Sequence, residues 1–130
     1  MASDRSAPLR LVVFVCAHGA VRSRLAAAYF NQAGPEGWIA VSAGLEPQAE
    51  LGGTAARLLS GTETASYLDR SRPRAVAETS PADAVIAIDC QLDGAEDWHL
   101  VSRDPNPAML GELEGRVRAL AERLAGGPLQ

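Results

Sequence analysis

Lysine is missing from this chain: all 12 basic residues are arginine. A protein without lysine cannot form a Schiff base through a side-chain amine, nor can it use the phosphate-binding lysine of a nucleotide-binding P-loop. Cysteine is scarce as well, with 2 in 130 residues, which argues against a disulfide scaffold and favours a reducing compartment. The net charge is −4 and no basic run is present, so we expect no nucleic-acid partner.

Long apolar runs are also absent. No stretch approaches the length that crosses a membrane, and the amino terminus lacks the hydrophobic segment of a signal peptide. We therefore expect a cytoplasmic protein with no membrane partner. The length, with 47% hydrophobic and 22% charged residues, suits one domain. We assign this domain to residues 9–126, after a loose polar lead-in over 1–8.

Short apolar runs alternate with segments of helical character along the chain. Strands are predicted over 11–15, 38–42, 84–88 and 97–101, and helices over 22–32, 54–60 and 110–124, with a short helical piece ending at 78. Strands separated by helices indicate a parallel sheet with right-handed crossovers. The predicted fold class is α/β, a three-layer sandwich in which a four-stranded parallel sheet carries helices on both faces. Ligands of such folds bind beyond the carboxyl ends of the strands.

The first predicted strand runs directly into Cys16-Ala-His-Gly-Ala-Val-Arg22-Ser23, at the beginning of a helix. Backbone N–H groups of this cradle loop (residues 16–22) and of the first helical turn would converge on one point and bind an oxyanion. The same field favours a thiolate at Cys16, and Arg22 can donate two parallel hydrogen bonds to an oxyanion. Ser23 can cap the helix or hydrogen-bond the Cys16 sulfur. The alternative is that Cys16 is a small buried hydrophobic residue at a strand end.

The chain resembles the low-molecular-weight protein tyrosine phosphatase superfamily, which also contains thioredoxin- and mycothiol-coupled arsenate reductases. The matching features run in family order from residue 11 to residue 124. They are the loop from Cys16 to Ser23, the segment Ser42-Ala43-Gly44, the apolar run 84–88, and Asp104-Pro105 before the last helix. The loop sequence and the residues around Asp97 look more like the arsenate reductase branch.

The resemblance implies a role for each site residue. Cys16 would attack phosphorus and form a phosphocysteine, while Arg22 and the loop N–H groups stabilise the transferred group. Ser23 belongs to the same catalytic set, and Asp104 would act first as the general acid and then as the general base. Substrate contacts are expected from Ala17, His18, Gly19, Ala20, Val21 and Ser42. No cofactor or metal is implied. For Asp104 taken alone, an ordinary Asp-Pro turn is the alternative.

Gly19 is the first departure from the family pattern. The family usually carries an asparagine at this position, which stabilises the loop with the serine that corresponds to Ser42. Glycine can take a left-handed conformation without steric cost. The stabilising side chain is nevertheless lost, so we expect a less rigid loop and a slower enzyme. The same departure leaves a non-catalytic oxyanion-binding domain as an alternative.

The substrate cleft is the second departure. Phosphotyrosine enzymes of this class line the cleft with aromatic side chains, some of them directly after the Asp-Pro pair. Here Asn106 and Pro107 follow, and the segment 45–48 after Gly44 also lacks an aromatic residue. We therefore expect the partner to be a small phosphomonoester or a bare oxyanion rather than phosphotyrosine.

Cys90 is the third point of comparison. It matches the second cysteine of the thioredoxin-coupled reductases, but the third cysteine is missing. Cys90 is therefore either a resolving thiol or a buried packing residue. An arsenate reductase that uses Cys90 or a small cellular thiol as reductant remains the alternative function. His18 either orients a substrate group or points to solvent at the rim of the loop.

Overall fold

In the computed structural model, which describes residues 9–102 and 104–126, four parallel strands form one sheet. They are β1 (Arg10–Cys16), β2 (Trp38–Gly44), β3 (Ala84–Ile88) and β4 (Glu96–Trp98), in the spatial order β2-β1-β3-β4. The register pairs Cys16 with Gly44 and Val15 with Ala87. This arrangement confirms the predicted α/β class and its parallel sheet. The predicted lead-in over 1–8 lies outside the described residues.

Helices cover one face of the sheet, and shorter segments cover the other. The helices are α1 (Arg22–Ala33), α2 (Thr54–Leu59) and α3 (Pro107–Gly126), with two 3₁₀ turns, Glu63–Tyr67 and Val76–Thr79. The larger core lies between the sheet and the three helices, where Phe14 packs edge-on against Phe30. The smaller core, around Val13, Val15 and Ala43, is covered by the second 3₁₀ turn and neighbouring loops. Between residues 9 and 126, apart from 103, no helix is long and apolar enough to span a membrane.

The fourth strand ends earlier than the sequence predicts. It covers Glu96–Trp98, whereas the apolar pattern favours 97–101. The reason is that side chains replace the sheet as hydrogen-bond acceptors beyond Trp98. The Leu100 N–H donates to Asp89 Oδ1 at 3.1 Å, and the Val101 N–H donates to the Glu112 carboxylate at 2.8 Å. The chain therefore leaves the sheet three residues before the predicted end.

The last helix begins three residues earlier than predicted, at Pro107 instead of 110. Proline fits the first helical turn because its missing N–H would have no helical partner there. Asn106 stands directly before it, and its Oδ1 accepts a hydrogen bond from the Met109 N–H at 2.9 Å. This bond is the usual contribution of an asparagine at the start of a helix.

The parallel arrangement brings chemically active residues to one edge of the sheet. Cys16 ends β1, Gly44 ends β2, and Asp89 directly follows β3. The segment after β4, which carries Asp104, begins at the same edge because parallel strands all end there.

Candidate active site

Cys16 and Ser23 form a buried pair at the beginning of α1. The Cys16 side chain is only 4% exposed, and its thiol donates a hydrogen bond to Ser23 Oγ at 3.1 Å. The Ser23 backbone N–H donates to the same sulfur at 3.4 Å. Once the thiol loses its proton, the hydroxyl can rotate and donate, so the pair suits a thiolate. Of the two predicted roles for Ser23, the geometry matches the bond to sulfur, since α1 has no side-chain cap.

The carbonyl groups of the cradle loop are held from outside by the segment 45–48. The bonds run from the N–H of Leu45 to the Cys16 oxygen (3.1 Å), from Glu46 to Ala17 (2.8 Å) and from Gln48 to His18 (3.3 Å). In a planar trans peptide, the N–H of the next residue points the opposite way from the carbonyl. The N–H groups of Ala17, His18 and Gly19 therefore point away from segment 45–48 and into the loop. Such inward N–H groups are what an oxyanion site needs.

Gly19 sits where the loop touches β2 backbone to backbone. Its φ is +70°, the left-handed region that glycine tolerates. A Cβ at Gly19 would lie 2.8 Å from the Gly44 nitrogen, and a Cβ at Gly44 would lie 2.6 Å from the His18 carbonyl carbon. Both distances are too short for a real side chain. The close approach of the two backbones therefore requires glycine at both positions.

Arg24 is a site residue that the sequence analysis did not identify. It is 1% exposed, and its Nε and Nη2 both donate to the Gly19 carbonyl oxygen, at 3.3 and 3.2 Å. Its Nη1 donates to the carbonyl oxygens of Asp69 (2.6 Å) and Ser71 (2.9 Å). Burial lowers the pKa of Arg24, and the charge of Asp69 opposes that shift. The sequence signal that could have indicated it is its position two residues after Arg22, in a helix whose other buried residues are apolar except for Ser23.

Arg74 connects the same segment to the end of β2. Its guanidinium donates to the Ser42 carbonyl oxygen at 2.8 Å and to Asp69 Oδ2 at 2.8 Å, while its own carbonyl accepts the Gly44 N–H at 2.9 Å. Burial alone would raise the pKa of Asp69, but hydrogen bonds from Ser71 and Arg74 lower it to about 2. Ser42, 1% exposed, contributes a buried hydroxyl that has no hydrogen-bond partner within the described residues. The asparagine that the family pattern would place beside it is replaced by Gly19.

Asp89 faces Arg22, and the sequence analysis missed this contact too. The Arg22 Nε lies 3.5 Å from Asp89 Oδ2, and the Asp89 side chain is 5% exposed. Asp89 has a φ of +51°, and its other carboxylate oxygen accepts the Leu100 N–H. The bond from Leu100 holds one carboxylate oxygen in place, so that the other faces Arg22 Nε. An acidic residue directly after a buried parallel strand was the available signal, because that place lies at the ligand edge of the sheet.

Asp104 is exposed on the segment between β4 and α3. The segment is anchored from α3, where the Glu112 carboxylate accepts the N–H groups of Val101 and Ser102. Burial would raise the pKa of Glu112, but these bonds and its pairing with Arg116 lower it. Asp104 follows this anchored stretch and is exposed to solvent.

Solved structures of two groups of enzymes share this architecture. An arsenate reductase from Archaeoglobus fulgidus matches with a TM-score of 0.67 and 29% identity, covering 86% of this chain and 99% of that one. A thioredoxin-dependent arsenate reductase from Corynebacterium glutamicum matches with a TM-score of 0.68 and 25% identity, covering 93% of this chain and 66% of that one. A low-molecular-weight protein tyrosine phosphatase from T. tengcongensis has the same fold, with a TM-score of 0.61, 19% identity, and coverage of 87% and 98%.

The structural neighbours of the chain are therefore arsenate reductases and low-molecular-weight protein tyrosine phosphatases, which matches the superfamily that the sequence resembles. No protein-family model and no curated protein gives a significant match to the sequence.

Cys90 is the residue on which the two branches of the superfamily would differ. It packs against the smaller core, together with Val13 and Val15, and its thiol donates to the Val15 carbonyl at 3.5 Å. Cys16 follows Val15 on β1, so its side chain leaves the opposite face of the strand. Burial, and then the charge of Cys16, raises the pKa of Cys90. The two cysteines are therefore electrostatic neighbours, but their side chains belong to different faces of the sheet.

His18 is exposed at the rim of the cradle loop, the position expected if it points to solvent. A separate cavity of about 500 Å³ lies between α1 and α3, beside Tyr29 and Glu114. It is lined by the carboxyl-terminal half of α1, whereas the cradle loop lies at the beginning of that helix. None of the predicted site residues lines it.

Proposed function

We propose that the chain is a cysteine-dependent phosphomonoester hydrolase that works through a phosphocysteine on Cys16. The observation that carries the proposal is the inward set of loop N–H groups around a cysteine whose sulfur is already hydrogen-bonded by Ser23. Arg22, oriented by Asp89, supplies a planar donor pair beside this set. Phosphoryl transfer needs this combination, because its transition state spreads negative charge over three oxygens.

The reaction would proceed in two displacements. The Cys16 thiolate attacks phosphorus in line, the P–O ester bond breaks, and Asp104 gives its proton to the leaving oxygen. Asp104, now a carboxylate, takes a proton from water, and the water oxygen attacks phosphorus. The P–S bond then breaks, which releases inorganic phosphate and restores the thiolate. The loop N–H groups and Arg22 stabilise the equatorial oxygens in both steps.

We further propose a small phosphorylated metabolite as the substrate. The rim of the loop is built by segment 45–48, in which Leu45 is the only sizeable apolar side chain. The residues after Asp104 are proline, asparagine and proline. An aryl ring would find no aromatic partner in either segment, and stacking contributes about 0.5–1.5 kcal/mol per pair. These segments therefore favour a compact alkyl phosphate over phosphotyrosine.

The first test is release of p-nitrophenol from p-nitrophenyl phosphate under reducing conditions, at mildly acidic pH. Cys16→Ser should abolish turnover. Asp104→Asn should lower kcat about 100-fold with this substrate and more with an alkyl phosphate, whose leaving group needs the proton. Asp97→Asn, which removes an exposed carboxylate from β4, is the matched control. Wild-type kcat in Asp104→Asn would disprove the acid role.

Arsenate reduction is the second candidate, because the two arsenate reductases compared share 25–29% identity with the chain and the phosphatase 19%. Here Cys16 would displace water from arsenate and form an As(V) thiolate adduct. Cys90 or a small cellular thiol would attack the Cys16 sulfur, so that two thiols become a disulfide and arsenic leaves as arsenite. The raised pKa of Cys90 disfavours it as the attacking thiol.

The two candidates make different products, so one assay decides between them. Arsenite formed from arsenate only when a thiol is supplied would support the reductase. Arsenite at the level of the enzyme-free control, with Cys16-dependent phosphate release, would support the hydrolase. If phosphate protects Cys16 from an alkylating reagent but neither arsenite nor released phosphate is detected, a non-catalytic oxyanion-binding domain would be supported.

A further inference from the structure

We propose that Arg24 is a positioning residue that fixes the peptide after Gly19 in the orientation the oxyanion requires. The inference rests on the proposed function, since the cradle loop is taken to hold the reacting phosphate group. Arg24 lies beneath the loop on α1, and none of its side chain is exposed. It cannot touch a substrate and would act only through the loop.

The four carbonyl groups of residues 16 to 19 are all held by hydrogen bonds from outside the loop. Those of Cys16, Ala17 and His18 accept backbone N–H groups of segment 45–48, which fixes the three peptides that follow them. The fourth carbonyl, that of Gly19, accepts two N–H groups of Arg24 instead. Backbone N–H groups thus hold the first three carbonyl groups, and the Arg24 side chain holds the fourth.

The Gly19–Ala20 peptide plane would rotate easily without an added restraint. Glycine at φ +70° has no Cβ to resist rotation of this peptide plane. Rotation by half a turn would point the Gly19 oxygen into the cradle and the Ala20 N–H away from it. An acceptor would then face the phosphate where a donor is needed. The two bonds from Arg24 oppose this rotation.

Position 19 itself has no room for a side chain that could hold this peptide. A Cβ at Gly19 would lie 2.8 Å from the Gly44 nitrogen. The stabilising group must therefore come from another position, and Arg24 is anchored for that purpose at its far end. Its Nη1 is held by the carbonyl oxygens of Asp69 and Ser71, and Asp69 is held in turn by Arg74.

The shape of guanidinium makes the proposal testable by chemical rescue. Arg24→Ala should lower kcat and weaken phosphate binding by about 10- to 100-fold each, as expected for lost hydrogen bonds from a charged donor. Phosphate binding is measured as protection of Cys16 from iodoacetamide, followed by mass spectrometry of its peptide. Guanidinium at low millimolar concentration should refill the cavity and restore both quantities. Urea, which has the same shape but no charge, should not.

This rescue separates positioning from mere structural support. Guanidinium destabilises folded proteins in general, so it cannot restore activity by stabilising the fold. Arg57→Ala, which removes an exposed arginine from α2, controls for a general effect on arginine variants. Arg24→Lys keeps the charge and the alkyl stem but cannot donate as a planar fork. Its Tm should lie closer to that of the wild type than the Tm of Arg24→Ala does, while kcat is still lost in the folded protein. This variant therefore tests the proposal if Arg24→Ala does not fold.

Two results would overturn the proposal. One is an Arg24 variant whose loss of activity matches only its loss of folded protein, with normal kcat and phosphate protection in the folded fraction. The other is equal recovery with urea and guanidinium. If the wild-type chain releases no phosphate from any ester, the hydrolase proposal fails, but phosphate protection of Cys16 still tests Arg24. If phosphate protects Cys16 neither in the wild-type chain nor in Arg24→Ala, the hydrolase proposal and the proposed role of Arg24 both fail.

Discussion

Replacing Asp89 by asparagine isolates the charge behind Arg22 from everything else that Asp89 does. Asparagine has the same size and tolerates the φ of +51° found here, so the change adds no backbone strain. If its Oδ1 keeps the bond to the Leu100 N–H, its Nδ2 must face the Arg22 Nε–H, and two donors then oppose each other. If it flips, the Leu100 bond is lost. Either orientation therefore costs one interaction.

The size of the effect follows from the separation of the pair. Two unit charges 3.5 Å apart attract by about 5 kcal/mol at an effective dielectric constant of about 20. Desolvation of the carboxylate, 5% exposed, and solvent screening of Arg22, 28% exposed, offset part of this attraction. Roughly 1.5–3 kcal/mol then remains, between the values typical of exposed and of buried ion pairs. Since about 1.4 kcal/mol corresponds to a tenfold change, kcat/KM should fall about 10- to 100-fold.

The assay is kcat/KM for p-nitrophenyl phosphate, with Tm measured on the same samples. Asp83→Asn is the matched control, because Asp83 also accepts a backbone N–H, that of Leu11 at 2.7 Å, but lies before β3 at the opposite edge of the sheet. The control should lose stability and keep its kcat/KM. Unchanged kcat/KM in Asp89→Asn, or an equal loss in both variants, would refute the positioning of Arg22 by Asp89.

Three further outcomes follow from the geometry. Gly19→Ala should lower Tm and kcat more than Gly94→Ala, since both have positive φ but only the first Cβ meets backbone, 2.8 Å away; equal losses would exclude the clash. The pKa of Asp69, lowered from 3.8 to about 2, means that its stabilisation is present above pH 3.8 and is lost as the pH falls through 2. Asp69→Asn should therefore cost about 1 kcal/mol near neutral pH, allowing for a side chain 38% exposed, and almost nothing near pH 2, as urea titrations at both values would show. Leu113→Ala, at a fully buried position of α3, should cost about 2–5 kcal/mol and exceed the cost of Leu124→Ala at its half-buried end.

The fold was predictable because its signals are local. Each of the first three strands is a short apolar run, and the helix over residues 22–32 ends at a glycine that adopts the left-handed conformation, φ 60°. The apolar face of α3 also follows from its period, with Leu113, Val117 and Leu120 buried. At the two boundaries that the sequence misplaced, a side chain accepts the backbone hydrogen bonds: Glu112 of α3 does so beyond β4, and Asn106 does so at the start of α3.

The candidate site was predictable only where its residues are adjacent in sequence. Cys16, Arg22 and Ser23 occupy one loop and helix start, and their spacing indicates an oxyanion site. Asp89 and Arg24 act through contacts with residues that the sequence does not bring near them. Asp89 meets Arg22 only because β3 lies beside β1, and Arg24 reaches Asp69 across 45 residues. The local pattern can mark such positions but does not identify the partners of Asp89 and Arg24.

The chain has no lysine, and arginine side chains make the hydrogen bonds that hold the backbone around the site. Two arginines near the cradle loop each bind two groups at once: Arg24 joins Gly19 to segment 69–71, and Arg74 joins Ser42 to Asp69. An ammonium group is a point donor and cannot join separate backbone segments in one plane. If the loop binds the oxyanion as proposed, its N–H groups would need little reorganisation during the reaction, because the bonds that hold the loop exist before any substrate binds. Rigidity supplied by arginine from outside the loop thus replaces the rigidity that a side chain at position 19 would supply from within it.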